Sequence, residues 1–207
     1  MRWDIAILSE PGERENNEDC VAVTSGDAGI CTVLCDGLGG HDAGEVASKC
    51  VCDSVTAAFE KAPEGADIGE LVCELLQNAQ DELMKMQIEL DKQNGMKTTA
   101  CCLLIQDGKT AAAYVGDSRI YQFRKNKVLL RSSDHSIPQY LVNIGEIKER
   151  DIRHHPDRNK LLRVMGSEWE TPRYQRLKLE EPVCGDAFLL CTDGFWEWIE
   201  EKDMERF

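Results

Sequence analysis

The chain has 207 residues, 42% of them apolar and 30% charged, enough for one domain with its own hydrophobic core. Thirty-eight acidic residues against 24 basic ones leave a net charge of -14, so a polyanion such as nucleic acid would meet a repelling average surface. No stretch approaches the roughly 18 consecutive apolar residues of a membrane helix, and "MRWDIAILSEPGER" is too briefly apolar for a secretory signal. No membrane association and a cytoplasmic location are therefore expected.

Residues 3–8 (WDIAIL) and 20–24 (CVAVT) predict short strands, and 30–35 (ICTVLC), apolar throughout, predicts a buried one. Val46, Cys50, Val51, Val55, Ala58 and Phe59 form a helical stripe within 42–61. After the breaker "APEGAD" a second long helix is predicted over 67–93. Ile68, Leu71, Val72, Leu75, Leu76, Ala79 and Leu83 share its face, and Met84, Met86, Ile88 and Leu90 continue the packing. Four strands follow at 98–106, 110–116, 118–124 and 127–131, with connections too short for parallel crossovers, hence an antiparallel meander. A short helix is expected over 136–144 and a charged, irregular stretch over 146–170. Two further strands are expected in "YQRLKL" and "DAFLLCT", and "WIEEKDMERF" begins a last helix. The sum is an α+β domain over residues 1–207: two antiparallel sheets packed face to face and covered by helices, the final helix incomplete.

Ten cysteines invite a disulfide or zinc reading, yet most sit in apolar runs, Cys31, Cys35, Cys101, Cys102 and Cys191 among them, and no CxxC pair occurs. They read as reduced core thiols.

Several acids share one setting, the end of an apolar strand beside a glycine. Asp36 follows "VLC" and precedes Gly37, Asp117 follows "AYVG", Asp193 follows "FLLCT", and Glu18 and Asp19 precede "CVAVT". Turn chemistry explains any one Asp-Gly pair. Strand ends gathered in a sandwich would bring the acids together, where they repel one another unless a hard divalent cation intervenes. The carbonyl of Gly37 could be a further oxygen ligand. "DGLGGHDAGE" is neither GxGxxG nor a P-loop and has no following lysine, so a nucleotide cradle is disfavoured.

On these residues the chain resembles the metal-dependent serine/threonine phosphatases of the protein phosphatase 2C type, in their bacterial form. The resemblance is carried, in order, by "RENNEDC", "LCDGLGGHDAGEVAS", "KTTACCLLI", "AYVGDSRIYQFR", "SSDHSIPQYLVNIGEI", "NKLLRVMG" and "AFLLCTDGFWE". It implies a sandwich with a helix pair on each outer side, two manganese or magnesium ions and a third, weaker one. Asp36 would bridge two cations, Gly37 would offer its carbonyl, and Asp193 would hold the second cation. Glu18 and Asp19 would act largely through water. Asp117 would serve the third cation with Asp193, and Arg14 would grip the substrate phosphate. It also implies direct hydrolysis of phosphoserine and phosphothreonine in proteins by a metal-bridging hydroxide, with no phosphoenzyme. The partners so implied are a phosphorylated protein and a serine/threonine kinase system, with the chain acting as a monomer.

His41 is expected to form local hydrogen bonds and His135 to order a loop. His154 and His155 fall in the basic, flap-like segment of about 146–170, and Trp196 and Trp198 are expected to pack the last helix. The family continues beyond "TDG" to an Asp-Asn pair, whose aspartate completes the second cation site. No Asp-Asn dipeptide occurs in these 207 residues, either because the chain is shortened or because the ligand is absent. Two functions therefore stand side by side: an active phosphatase, or a catalytically impaired module that keeps the fold and binds phosphoprotein or a regulatory partner. A two-metal nuclease is disfavoured by the net charge of -14.

Overall fold

The computed structural model describes residues 2–38, 43–92 and 95–206. In chain order the elements are β1 (Asp19–Gly26), β2 (Gly29–Leu38), α1 (Ala43–Phe59), α2 (Ile68–Glu89), β3 (Lys97–Thr98), β4 (Ala100–Gln106), β5 (Lys109–Val115), β6 (Arg119–Arg124) and β7 (Lys127–Arg131). Then come α3 (Ile137–Asn143), a 3-10 turn (Glu149–His154), β8 (Gln175–Leu177), β9 (Ala187–Cys191), α4 (Asp193–Trp196) and α5 (Glu201–Met204). The first sheet runs β1-β2-β4-β5-β8 with β3 beside β2, and the second runs β7-β6-β9, all antiparallel.

Alternation along each strand builds separate cores on the two faces of a sheet. Leu34, Cys101, Leu103, Tyr114 and Ile120 fill the space between the sheets. Val33, Cys35, Cys102 and Leu104 point the other way, onto Val51, Val55, Phe59, Leu75 and Leu76 of α1 and α2. Asp67 starts α2 by accepting the amides of Gly69 and Glu70 at 2.8 and 3.1 Å, an N-cap the "APEGAD" breaker provides. On the outer face of the second sheet, Tyr121, Ile152, Cys191, Trp196 and Met204 make a third, smaller core. No disulfide links the cysteines, and eight of the ten are buried.

The structure corrects the sequence reading in several places. Residues 3–8 form no strand; Trp3 rests on Phe188 of β9 at 5.9 Å, while Ile5, Ile7 and Leu8 are exposed. Backbone hydrogen bonding needs a partner edge, and among the described residues none pairs with this segment. The meander is broken. After the β4–β5 hairpin the chain leaves the first sheet at Gly116 and enters the second at Arg119. Gly116 has φ +105°, and a Cβ there would lie 2.5 Å from Thr99 Cγ2, so only glycine permits this crossing. The expected outer helix pair exists as α1 and α2, but the second sheet carries only short helices. The last helix is two single turns, α4 and α5, and Trp198 between them is 81% exposed, whereas Trp196 is 1% exposed. On α2, Gln87 rather than Ile88 or Leu90 is buried; its Nε2 donates to Met96 O and Gly166 O at 2.6 and 2.8 Å. No helix among the described residues is long and apolar enough to cross a membrane.

Candidate active site

The predicted acids collect at one end of the sandwich because three chain crossings meet there. β2 does not stop before Asp36; it runs through Asp36 and Gly37 to Leu38 and changes partner from β4 to β3. Asp36 lies on the same strand face as Leu34, toward the space between the sheets. Its backbone is fixed by the two threonines of "KTTA". The Asp36 amide donates to Thr99 Oγ1 at 2.9 Å, and its carbonyl accepts from Thr98 Oγ1 at 2.8 Å and Thr99 N at 2.9 Å. Asp19 is the register partner of Asp36, and its carboxylate accepts from Thr192 Oγ1 at 3.0 Å.

Gly37 and Gly44 explain part of the glycine run. A Cβ on Gly37 would lie 2.3 Å from Gly44 O, and one on Gly44 would lie 2.8 Å from Glu18 Oε1. The end of β2, the start of α1 and the Glu18 carboxylate are thus in direct contact, which places that carboxylate against a helix N-terminus. Glu18 O also accepts from Gly37 N at 3.0 Å and Ser48 Oγ at 2.6 Å. Gly39, Gly40 and His41 lie outside the described residues.

Asp117 sits in the crossing between the sheets, 6% exposed. Its surroundings are clasped on every side. Gly116 N donates to His135 Nδ1 at 3.1 Å and Gly116 O accepts from His135 N at 2.8 Å. Asp117 O accepts from Trp196 Nε1 at 2.9 Å, and Ser118 O accepts from Cys101 Sγ at 3.2 Å. His135, stacked on Tyr114 at 5.0 Å, orders this loop as expected. Asp193 opens α4 directly after β9.

Arg14, Glu18, Asp36, Gly37, Leu38, Asp117, Asn159, Leu161 and Asp193 line one cleft of about 240 Å³. Asp19 stands behind them, close enough to be felt by Asp36. The cleft therefore brings together the residues read from the sequence. Leu38, Asn159 and Leu161 were missed as cleft residues. The last two belong to the flap-like segment, whose composition signalled a loop but not which side chains face the acids. His154 is exposed and His155 accepts from Asp157 N at 3.1 Å; neither lines the cleft. No carboxylate pairs with the exposed Arg14 at ion-pair distance among the described residues.

Burial pushes the Asp36 carboxyl up to about 9, with Asp193, Asp19 and Asp117 adding to the rise and Arg14 opposing it. Burial, then Asp193 and Asp134, likewise hold Asp117 well above the ordinary carboxylate range. Burial raises Asp19 too, against the Thr192 hydrogen bond. Oxygen donors that disfavour one another's charge suit a hard divalent cation, so the donor chemistry fits manganese or magnesium. Among the described residues, however, no three His, Cys, Asp or Glu side chains are arranged to hold a cation as they stand.

A pH dependence follows. Unfolded Asp36 loses its proton near pH 4, whereas folded Asp36 keeps it to about 9, so the folded state binds more protons between these values. Stability from this group is full below about pH 4 and is lost as pH rises through 9. His135 acts with the opposite sign: burial lowers its pKa, so its share is lost as pH falls below its ordinary value near 6.5. The melting temperature of the cation-free chain is expected to fall from pH 7 to 9. Manganese should flatten that slope; thermal melts in matched buffers check both.

Residues 12–207 match the family model described as protein phosphatase 2C. The chain is 30% identical over 197 residues to the serine/threonine phosphatase stp of Listeria welshimeri, covering 93% of this chain and 77% of that protein. It is 30% identical over 192 residues to the serine/threonine protein phosphatase PstP of Mycobacterium tuberculosis, covering 92% of this chain but 36% of that protein, so it spans about a third of the mycobacterial relative. Among solved structures, a bacterial serine phosphatase superposes with a TM-score of 0.83 at 30% identity, covering 96% of this chain and 81% of that one. The catalytic domain of PstP in complex with two manganese ions superposes with a TM-score of 0.76 at 27% identity, covering 99% and 81%. Sequence, topology and the order of the motifs agree, and the chain belongs to the protein phosphatase 2C family.

Proposed function

We propose that this domain hydrolyses phosphoserine and phosphothreonine monoesters in proteins with the help of divalent cations. The observation that carries the reading is the single cleft lined by Glu18, Asp36, Asp117 and Asp193, with Arg14 at its edge. Asp36, Gly37 and Asp193 would hold two manganese or magnesium ions, Glu18 and Asp19 would support them, and Asp117 would serve a third, weaker one. Such cations, when bound, supply Lewis-acid stabilisation of the phosphoryl oxygens and a water acidic enough to attack phosphorus. Arg14 supplies a planar fork for the phosphate dianion, and among the described residues no carboxylate holds it at ion-pair distance. Leu38 and Leu161 give the cleft apolar wall, and the Asn159 amide would offer a donor to the substrate. The substrate would be a phosphoprotein produced by a serine/threonine kinase, and the domain would act as a monomer.

Hydrolysis of p-nitrophenyl phosphate tests the reading. Activity should require manganese or magnesium and vanish in Asp36→Ala and Asp193→Ala. Arg14→Ala should raise KM about tenfold or more, the worth of one charge-assisted contact. Manganese-independent background rates equal in all three variants and the parent chain would sink it.

One observation favours a second reading, a catalytically impaired module that binds phosphoprotein. The acids do not stand ready to hold a cation among the described residues. That reading expects a phosphoserine peptide to bind in an Arg14-dependent way and to remain phosphorylated with manganese present. Turnover of the same peptide excludes it.

A further inference from the structure

We infer that Trp196 is a positioning residue: it ties the helix that carries Asp193 to the backbone of Asp117, so that these two carboxylates have less far to move when the cleft binds a divalent cation. The inference rests on the cation-dependent reading of the cleft. Asp193 is the first residue of α4 and Trp196 the last. The Trp196 indole N–H donates to the carbonyl of Asp117 at 2.9 Å. One side chain thus runs from the helix carrying one carboxylate to the backbone of the residue carrying the other. The other end of α4 is tied as well, because Thr192 donates its hydroxyl to the Asp19 carboxylate at 3.0 Å. A single helical turn has little stiffness of its own. These two tethers supply it, and they join parts of the chain 173 and 79 residues apart.

The ring itself is held still. Trp196 is 1% exposed, and the guanidinium of Arg119 lies 3.5 Å over its centroid. Arg119 is immobilised in turn by two hydrogen bonds to Asp134, at 2.8 and 2.7 Å, with both side chains 1% exposed. Asp117 and Asp193 face one cleft, where two carboxylates repel each other when no cation is bound. A rigid strut resists that repulsion in the empty cleft and so lowers the reorganisation that binding requires. A tryptophan that merely filled the core would need some partner for its N–H; here the partner is the backbone of a cleft acid.

Trp196→Phe tests this, since it keeps an aromatic ring under Arg119 while deleting the indole donor, at the cost of a smaller ring. Manganese binding is read by the electron paramagnetic resonance signal of free Mn²⁺, independently of turnover. The dissociation constant is expected to rise about tenfold, with KM for p-nitrophenyl phosphate and kcat at saturating manganese within twofold of the parent. Manganese affinity within twofold of the parent overturns the inference, whatever the melting temperature does. Should Trp196→Phe not fold, Thr192→Val decides on the same readout: weakened manganese binding supports the tethered helix, and unchanged binding overturns it. A parent chain that binds no manganese overturns the cation reading and this inference with it, so the two failures are distinguishable.

Discussion

Asp36→Asn should abolish manganese-dependent hydrolysis and at the same time stabilise the cation-free fold. The catalytic loss is expected to exceed about a thousandfold, in line with removing a group that holds charge at the reacting centre. The gain in stability comes from the same geometry. Asp36 is 7% exposed and surrounded by Asp19, Asp117 and Asp193, so its ionised form is both desolvated and repelled. Asparagine has nearly the same shape, carries no charge and adds donors toward neighbouring carboxylates. A gain of about 1–3 kcal/mol is expected at pH 8, or roughly 3–10 °C in melting temperature for a domain of this size. Adding manganese should raise the melting temperature of the parent chain and leave that of Asp36→Asn nearly unmoved. A variant that melts lower than the parent at pH 8 without cation would show that Asp36 is not under electrostatic strain.

The two effects of Asp36→Asn share one cause, which also explains why the cleft is built where it is. A cluster of acids is unfavourable anywhere in a small domain, and it persists only where rigid neighbours over-determine it. Here those neighbours are backbone contacts: Thr98 and Thr99 on Asp36, His135 on Gly116, and α1 against Gly37. The stability cost is concentrated in the carboxylates and the restraint is spread over elements distant in sequence.

What could be read in advance divides along the same line. Long periodic segments were legible, because Val51, Val55 and Phe59 or Leu71, Leu75 and Leu76 must bury one helix face whatever the tertiary detail. The acids were legible as a set, because strand ends beside glycine recur at Asp36, Asp117 and Asp193. The crossing at Gly116 was not, since a short turn between two apolar strands reads as a hairpin and only the sheet partners reveal a change of sheet. Residues 3–8 have the composition of a strand, but strand formation depends on an available edge, which composition does not encode. Trp196 and Trp198 are two residues apart and of one type, yet one is 1% and the other 81% exposed. Their fates differ because the single turn of α4 points the first toward Arg119. Asn159 and Leu161 carried no signal, because a loop residue's approach to a site is set by where the loop is anchored. That anchor includes Leu162 N to His135 O at 2.7 Å, a contact between segments with no shared pattern.

Asp134 is the residue whose sequence context most understates its weight. In "SSDHS" it reads as turn chemistry beside His135, but its carboxylate is 1% exposed and takes two hydrogen bonds from the Arg119 guanidinium, whose Nη1 donates to Tyr121 Oη. Asp134→Ala leaves that guanidinium buried with Glu201 at 3.7 Å as the nearest remaining carboxylate among the described residues. Breaking a buried pair from one side costs about 3–5 kcal/mol, since an uncompensated charge stays behind. For a domain of this size that corresponds to a drop of roughly 10 °C in melting temperature. The double variant Asp134→Leu with Arg119→Met removes both charges and should recover most of the loss, because a well-packed apolar pair can equal a buried ion pair. The cation response should not recover with it. Without the guanidinium over its ring, Trp196 is less firmly held, and manganese binding in the folded double variant is expected to stay weaker than in the parent. Urea unfolding separates the stability of the three chains, and the free Mn²⁺ signal reads the cleft. Restored stability together with restored manganese affinity would mean that Arg119 and Asp134 support the fold without acting on the cleft.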